Sequence, residues 1–135
     1  MGYQAGYTNT TSGYNTFIGY QAGYLSNYTS GNAFNTCVGT QAGYNLSTGK
    51  NNTFIGGTTN AGAGGSVTTG SSNTILGGYS GNQGGLDIRT ASNYIVLSDG
   101  DGNPRQVIDN NGLVTLGVIG NTYSCLLYTS DAADE

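Results

Sequence analysis

The sequence predicts an all-β fold: a parallel β-roll or β-helix (a solenoid) of 17- to 21-residue repeats, followed by a short antiparallel β meander. Three observations support this prediction. A five-residue word, Asn-Thr-apolar-apolar-Gly, recurs at that period. Glycine supplies 25 of the 135 residues, whereas only 7% of the residues are charged. No window has the i, i+3, i+4, i+7 apolar spacing of an amphipathic helix.

The repeated word is predicted to form one short strand in each repeat. Its clear copies are Asn15–Gly19, Asn35–Gly39, Asn52–Gly56 and Asn73–Gly77, and Asn93–Leu97 is interpreted as a worn copy. An apolar pair of β-branched or aromatic residues between turn residues is typical of a strand. Glycine and asparagine supply the positive-φ positions that tight corners need. Each repeat is therefore predicted to be one coil, about 4.8 Å from the next.

The paired apolar residues of each word carry a second prediction, because adjacent strand residues point to opposite faces. One member of each pair fills the coil, and the other needs a cover. The predicted core or interface residues are Phe17, Ile18, Cys37, Val38, Phe54, Ile55, Ile75 and Leu76. Another copy of the chain is the simplest cover, so we expect a homo-oligomer, specifically a homotrimer. The alternative is a monomeric solenoid with a second layer of its own.

The chain is divided into three segments by its changing pattern. Residues 1–85 are assigned to the solenoid, which begins in the middle of a repeat, so we expect a fragment of a longer protein. Residues 86–124 are assigned to the meander because Asp-Gly and Asn-Gly turns separate their apolar runs. Residues 125–135 resemble a translated sequencing adapter and are excluded as a disordered artefact, with a natural acidic tail as the alternative.

Charge is sparse and unevenly distributed. The formal net charge is −4, but three of the seven acidic residues lie within residues 125–135. Between Met1 and Leu86 the only Asp, Glu, Lys or Arg side chain is that of Lys50. Nucleic acid and anionic membranes are bound by basic clusters, so neither is an expected partner. Membrane insertion is not expected either, because no apolar run reaches roughly 20 residues.

Catalytic chemistry lacks its usual side chains. The chain has no histidine, and Cys37 is the one cysteine outside the adapter-like tail, so Ser-His-Asp, Cys-His and His-metal sites cannot be assembled. Cys37 is interpreted as a small apolar filler at the position of Phe17 and Phe54. The prediction is a protein that is not an enzyme, with no catalytic site, no metal site and no cofactor.

The carboxylates of the meander do not change that prediction. Paired carboxylates for glycoside cleavage would have to come from four aspartates in turns, Asp87, Asp99, Asp101 and Asp109. The segment Asp99–Asn103 has oxygen ligands at alternating positions, as calcium loops do. Pro104 and Asn110, however, stand where an EF-hand has glycine and glutamate. The segment is predicted to be a hairpin turn.

A second word, Gln-Ala-Gly-Tyr, places tyrosines at regularly spaced corners. Tyrosines there are predicted to stack in ladders along the solenoid and to bond their hydroxyls to the backbone. The alternative is that their ring faces meet sugars, and the candidate glycan contacts are Tyr7, Tyr24, Tyr44 and Tyr79. The word is absent after the third clear strand, where Thr59–Gly62 is interpreted as its replacement.

Two strings carry a family resemblance. Asn15–Tyr24 (NTFIGYQAGY) and Ser92–Arg105 (SNYIVLSDGDGNPR) resemble repeats of bacteriophage tail-fibre and tailspike proteins, and more distantly the head repeats of trimeric autotransporter adhesins. The resemblance covers residues 1–124. It implies a β-rich trimer on the virion that attaches to a host cell-surface glycan or protein receptor through multivalent binding. It also implies that, in related fibres, an intramolecular chaperone domain often follows a segment like residues 92–117.

Two other functions stay open at this point. A bacterial trimeric surface adhesin, located at the cell surface, would have a similar head. A passive fibre spacer would have the same repeats and bind nothing.

Overall fold

The computed structural model describes residues 2–58 and 61–117, so the adapter-like segment and Cys125 lie outside the described residues. Within those two ranges the chain forms nine β-strands and no helix. Their bounds are Thr16–Ile18 (β1), Thr36–Val38 (β2), Thr53–Ile55 (β3), Thr74–Leu76 (β4), Asn82–Gln83 (β5), Leu86–Asp87 (β6), Ile95–Ser98 (β7), Pro104–Ile108 (β8) and Val114–Leu116 (β9).

Seven strands form one sheet in the order β1-β2-β3-β4-β7-β8-β9, and β5 pairs with β6 in a small antiparallel hairpin. Strands β1 to β4 and β7 are parallel neighbours, and β8 and β9 continue the sheet in antiparallel pairing. The predicted parallel solenoid followed by an antiparallel meander is confirmed. β7 belongs to both parts, because it pairs in parallel with β4 and in antiparallel with β8.

The sequence alignment of the worn copy is wrong by one residue. Aligning Asn93 with Asn73 places Ile95 beside Ile75, but the structure pairs Val96 with Ile75 and buries it completely. The error has a simple origin. Ile95, Val96 and Leu97 are all apolar, so the sequence does not mark which of them enters the core.

The core of the solenoid is a set of columns that run through successive coils. Cys37, Phe54 and Ile75 are fully buried in one column, and Phe17 is half-buried at its end. A second column is Ala22, Ala42 and Ala63, and a third is Leu46, Val67 and Ile88. Cys37 lies between Phe17 and Phe54, as the filler interpretation requires. Its burial raises the pKa of the thiol to about 12.

An asparagine ladder explains why each word begins with Asn. The Oδ1 atom of Asn35 accepts a hydrogen bond from the backbone N–H of Asn52 at 3.0 Å, and Asn52 repeats this contact with Asn73 at 3.0 Å. The Nδ2 atoms of Asn35 and Asn52 donate to the carbonyl oxygens of Gly49 and Gly70, each at 2.9 Å. The buried amides therefore bond each coil to the next.

The last residue of the word is glycine because the coils approach closely there. Gly56 has φ of 134°, a value that favours glycine. A Cβ atom on Gly56 would overlap the carbonyl oxygen of Gly77 in the next coil. The same overlap would occur between Gly39 and the carbonyl oxygen of Gly56. Glycine thus satisfies two requirements at once, a backbone conformation and a close contact between coils.

Candidate functional site

The outer surface of the seven-stranded sheet is an uncharged, largely apolar face. Adjacent residues alternate in direction, and the members of the core column point inward. We call the opposite, outward residues the apolar face: Thr16, Ile18, Thr36, Val38, Thr53, Ile55, Thr74, Leu76, Ile95, Leu97, Gln106, Ile108, Val114 and Leu116. None of these residues is ionisable.

The apolar face keeps its large side chains in contact with solvent. Ile18 is 50% exposed and Leu76 is 39% exposed, although each follows a buried or half-buried neighbour. Phe17, Cys37, Phe54 and Ile75 thus lie on the core side, whereas Ile18, Val38, Ile55 and Leu76 lie on the apolar face. The face gains apolar content toward the C-terminal strands, because β7 contributes Ile95 where the earlier strands contribute threonine.

The predicted stacking of tyrosines is present on a corner of the solenoid, but the predicted bonds from the hydroxyls of the stacked rings to the backbone do not form among the residues that the structure describes. The rings of Tyr7, Tyr24 and Tyr44 stack with centroid distances of 5.0 Å and interplanar angles of 3° at both steps. We call these three rings the tyrosine ladder. Tyr3 and Tyr20 form a separate stack at 5.6 Å. Partial burial, followed by the neighbouring Tyr44 and Tyr7, raises the pKa of Tyr24.

Tyr79 does not belong to this ladder, and its prediction as a glycan contact is wrong. Its side chain is fully buried, and its hydroxyl donates to the carbonyl oxygen of Leu86 at 2.8 Å. The N–H of Gly64 donates to the carbonyl oxygen of Tyr79, which places Tyr79 in the alanine column beside Ala63. Burial raises its pKa well above the usual range. Tyr79 is a core residue that bonds its hydroxyl to the backbone.

A glutamine ladder runs beside the tyrosine ladder, and sequence reasoning did not identify it. The Nε2 atom of Gln21 donates to Oε1 of Gln4 at 2.9 Å, and Nε2 of Gln41 donates to Oε1 of Gln21 at 3.3 Å. All three glutamines have φ between 52° and 54°. The signal was the fixed distance between Gln and Tyr in the Gln-Ala-Gly-Tyr word.

Both ladders end at the same coil, and the sequence alignment of that coil is corrected by the structure. The N–H of Gly43 donates to the carbonyl oxygen of Ala63, and a Cβ on Gly64 would overlap Phe54 as one on Gly43 would overlap Cys37. Gly62–Gly65 therefore takes the place of the Gln-Ala-Gly-Tyr word, not Thr59–Gly62. The coil keeps the buried Ala and Gly and replaces the outward Gln and Tyr with glycines.

A groove lies where the two ladders end. It has a volume of about 310 Å³, and we call it the ladder-end groove. Its lining residues are Gln41, Tyr44, Asn45, Ala61, Gly65 and Ser66. A second cavity, of about 450 Å³, shares Ala61 and extends to Ser80, Gln83 and Asp101. Polar and small side chains thus line a surface beside the end of an aromatic stack.

The turn between β7 and β8 holds the clearest charged group. The carboxylate of Asp99 accepts hydrogen bonds from the backbone N–H groups of Asp101 and Asn103, and the guanidinium of Arg105 pairs with it. The N–H of Asn103 and then the Arg105 side chain lower the pKa of Asp99 to about 2. The predicted hairpin turn is confirmed, and the carboxylate of Asp99 forms its hydrogen bonds within that turn.

The described part of the chain offers little else for chemistry. Across residues 2–58 and 61–117, no three His, Cys, Asp or Glu side chains converge as metal ligands would. In the same ranges no helix has the length and apolar character needed to cross a membrane. Comparison of the chain with protein-family models, curated proteins and solved structures finds no match. The apolar face and the ladder-end groove are therefore the candidate functional surfaces.

Proposed function

We propose that this chain is a structural and receptor-binding segment of a phage tail fibre, assembled side by side as a homotrimer. The observation that carries the proposal is the apolar face. A continuous exposed apolar surface of this kind marks an interaction site in a soluble protein. The placement on a virion rests on the resemblance of Asn15–Tyr24 and Ser92–Arg105 to tail-fibre repeats.

A second copy of the same chain is the partner that best fits the face. Its rows follow the stacking of the coils, so an identical chain presents the same spacing, and closed symmetry is the usual outcome of such contacts. No like charges oppose one another, because the face has no ionisable side chain. Covering a side chain that is half-exposed, such as Ile18 or Ile55, contributes about 1 kcal/mol. Every coil repeats the contact, so the free-energy contributions of successive coils add.

Attachment follows from assembly. A trimer presents three copies of any surface site in a fixed arrangement, so weak binding at each site becomes strong binding overall. The chain thus acts by display of identical sites, without catalysis. Host-surface glycans or proteins are the proposed receptors.

Sedimentation analysis of the purified chain tests the assembly. The 13.8 kDa chain is expected to sediment as a trimer. The double variant Ile55→Lys/Leu76→Lys places charges in the centre of the apolar face and is expected to give a folded monomer. The double variant Thr48→Lys/Thr69→Lys adds the same two charges at exposed positions outside the face and is the matched control. A wild-type monomer over the whole concentration range would refute the proposed assembly.

The genetic neighbourhood separates a phage fibre from a bacterial surface adhesin. Tail and capsid genes beside this gene are expected for a fibre. A neighbouring outer-membrane anchor or secretion gene would favour the adhesin instead.

A further inference from the structure

We propose that the ladder-end groove is a sugar-binding site, in which a neutral, hydroxylated ring stacks on Tyr44 at the position of a missing fourth tyrosine. This inference rests on the proposed function, because it names the ligand class and the place of receptor binding. Four observations support it: the end of the aromatic stack, the groove itself, the polar atoms around it and the lack of charge.

The aromatic stack ends at a glycine. The backbone N–H of Asn45 donates to the carbonyl oxygen of Gly65 at 3.1 Å, as the N–H of Leu25 donates to that of Tyr44 at 2.9 Å. Gly65 is therefore the residue that follows Tyr44 in the ladder. The ring spacing of 5.0 Å along the ladder sets the place where the next ring would lie. With no side chain at Gly65, the groove opens at that place.

The groove is large enough for a ligand. Its volume of about 310 Å³ lies at the lower end of the range for small-molecule sites. The half-buried Tyr44 is one wall, and the small residues Ala61, Gly65 and Ser66 line the groove with it. The less polar side of a sugar ring packs flat against an aromatic ring, and tyrosine provides such a ring with little loss of conformational entropy.

Polar atoms surround the Tyr44 wall of the groove. In the glutamine ladder, Oε1 of each earlier glutamine accepts from Nε2 of the next, but Gln41 is followed by Gly62, which has no amide side chain. Asn45 uses its Nδ2 atom to donate to the carbonyl oxygen of Gly65 at 2.8 Å. Residues 2–58 and 61–117 donate no hydrogen bond to Gln41 Oε1, Asn45 Oδ1 or Ser66 Oγ. Such amide and hydroxyl groups match the donors of sugar hydroxyls.

The lack of charge defines the ligand class. The six residues that line the groove have no ionisable group apart from the phenol of Tyr44. Lys50, the only basic residue before Leu86, lies over the ring of Tyr28 at 5.7 Å from its centroid. A phosphate, a carboxylate or a sialic acid would find no cation to pair with. A neutral sugar requires none.

Binding to a printed glycan array tests the inference, with the full chain applied as a fluorescent conjugate to neutral and sialylated glycans. The wild-type chain is expected to bind neutral glycans. Tyr44→Ala removes the stacking wall and is expected to weaken binding by about tenfold. Tyr44→Phe keeps the ring, and Tyr7→Ala removes a ring at the far end of the same ladder. Both are expected to bind within about twofold of wild type.

Gly65→Tyr separates binding from folding. It continues the ladder and fills the groove, so it is expected to abolish glycan binding. Its Cβ would lie 3.0 Å from the carbonyl oxygen of Gly62, so Gly65→Ala, which adds the same Cβ without a ring, is the matched control and is expected to retain binding. Tyr44→Ala removes one of the two stacking neighbours of Tyr24 and lowers the thermal unfolding midpoint by an amount that Tyr7→Ala, which removes the other, calibrates. Loss of binding in a folded Gly65→Tyr variant, with binding retained in Gly65→Ala, therefore identifies the groove.

Four outcomes would overturn the inference, and they fall on different claims. Glycan binding that survives both Tyr44→Ala and Gly65→Tyr refutes this site and leaves the proposed function intact. Binding confined to sialylated glycans refutes the ligand class. Absence of binding to every glycan refutes the sugar site, and absence of binding to host cells as well refutes the attachment function. The oligomeric state is measured separately by sedimentation.

Discussion

Asn52 Oδ1 accepts a hydrogen bond from the backbone N–H of Asn73, 3.0 Å away and one coil further along the solenoid. Both residues are fully buried. The contact joins the side chain of one repeated word to the backbone of the next, so the most regular residue of the sequence also maintains the stacking of the coils. The Nδ2 atom of Asn52 completes the connection by donating to the carbonyl oxygen of Gly70.

Replacing Asn52 with alanine is expected to lower the free energy of unfolding by about 3 kcal/mol, because it leaves a buried N–H at Asn73 and a buried carbonyl at Gly70 without partners. Asn15→Ala is the control. Asn15 is half-buried at the end of the same ladder, and its replacement leaves only one group of a fully buried residue, the N–H of Asn35, without a partner, so the expected loss is about 1 kcal/mol. Denaturant unfolding at one protein concentration measures both values. Equal losses of unfolding free energy in the two variants would contradict a larger contribution from the fully buried Asn52.

Replacing Gly56 with alanine is expected to destabilise the protein more than the same change at Gly31. Both glycines have positive φ, 134° and 123°, so both changes introduce backbone strain of about 1–3 kcal/mol. Only at Gly56 would the new Cβ overlap the next coil, whereas nothing lies within 4 Å of a Cβ on Gly31. The overlap is expected to add about 1–3 kcal/mol. Thermal unfolding of the two variants measures the difference, and equal midpoints would refute the close approach of the coils.

Acid is expected to weaken the turn between β7 and β8. The folded state holds the pKa of Asp99 at about 2, below its ordinary value of 3.8, so its contribution to stability is complete above pH 3.8 and is lost as the pH falls through about 2. Asp99→Asn is expected to destabilise the protein at pH 5 and to have little effect at pH 2. Unfolding midpoints between these pH values measure the change.

The control for this pH dependence is Asp101→Asn. The carboxylate of Asp101 accepts no hydrogen bond from the residues that the structure describes. Its replacement is expected to leave the pH profile unchanged. A profile altered equally by both variants would mean that Asp99 has no special contribution.

The thiol of Cys37 is expected to be unreactive in the folded protein. It is fully buried, and its pKa of about 12 leaves almost no thiolate at pH 8. In a Cys125→Ser variant, an aromatic disulfide reagent is expected to label no thiol under native conditions and one thiol per chain in denaturant. Adding Cys37→Ser is expected to remove the second signal. Rapid native labelling would contradict the packing between Phe17 and Phe54.

The local pattern was sufficient to predict the coil. An apolar pair between turn residues, repeated at the period of one coil, predicts a strand, and the alternation of a strand separates Phe54 from Ile55 without any tertiary information. The same reasoning failed for Tyr79, because a tyrosine near a corner has the same local sequence whether its ring points outward or into the alanine column. Its burial depends on Ala63 in the preceding coil, which leaves space for a ring.

The recurring word by itself determined the all-β class, the parallel stacking and the two faces of each strand, because these follow from the properties of neighbouring residues. Only the tertiary structure decided which residues of different coils lie together. It shifted Val96 into the core and aligned the glycines Gly62 and Gly65 with Gln41 and Tyr44. The physical reason is that hydrogen bonds between coils set the register, and loops of unequal length change the sequence distance between residues that those bonds bring together.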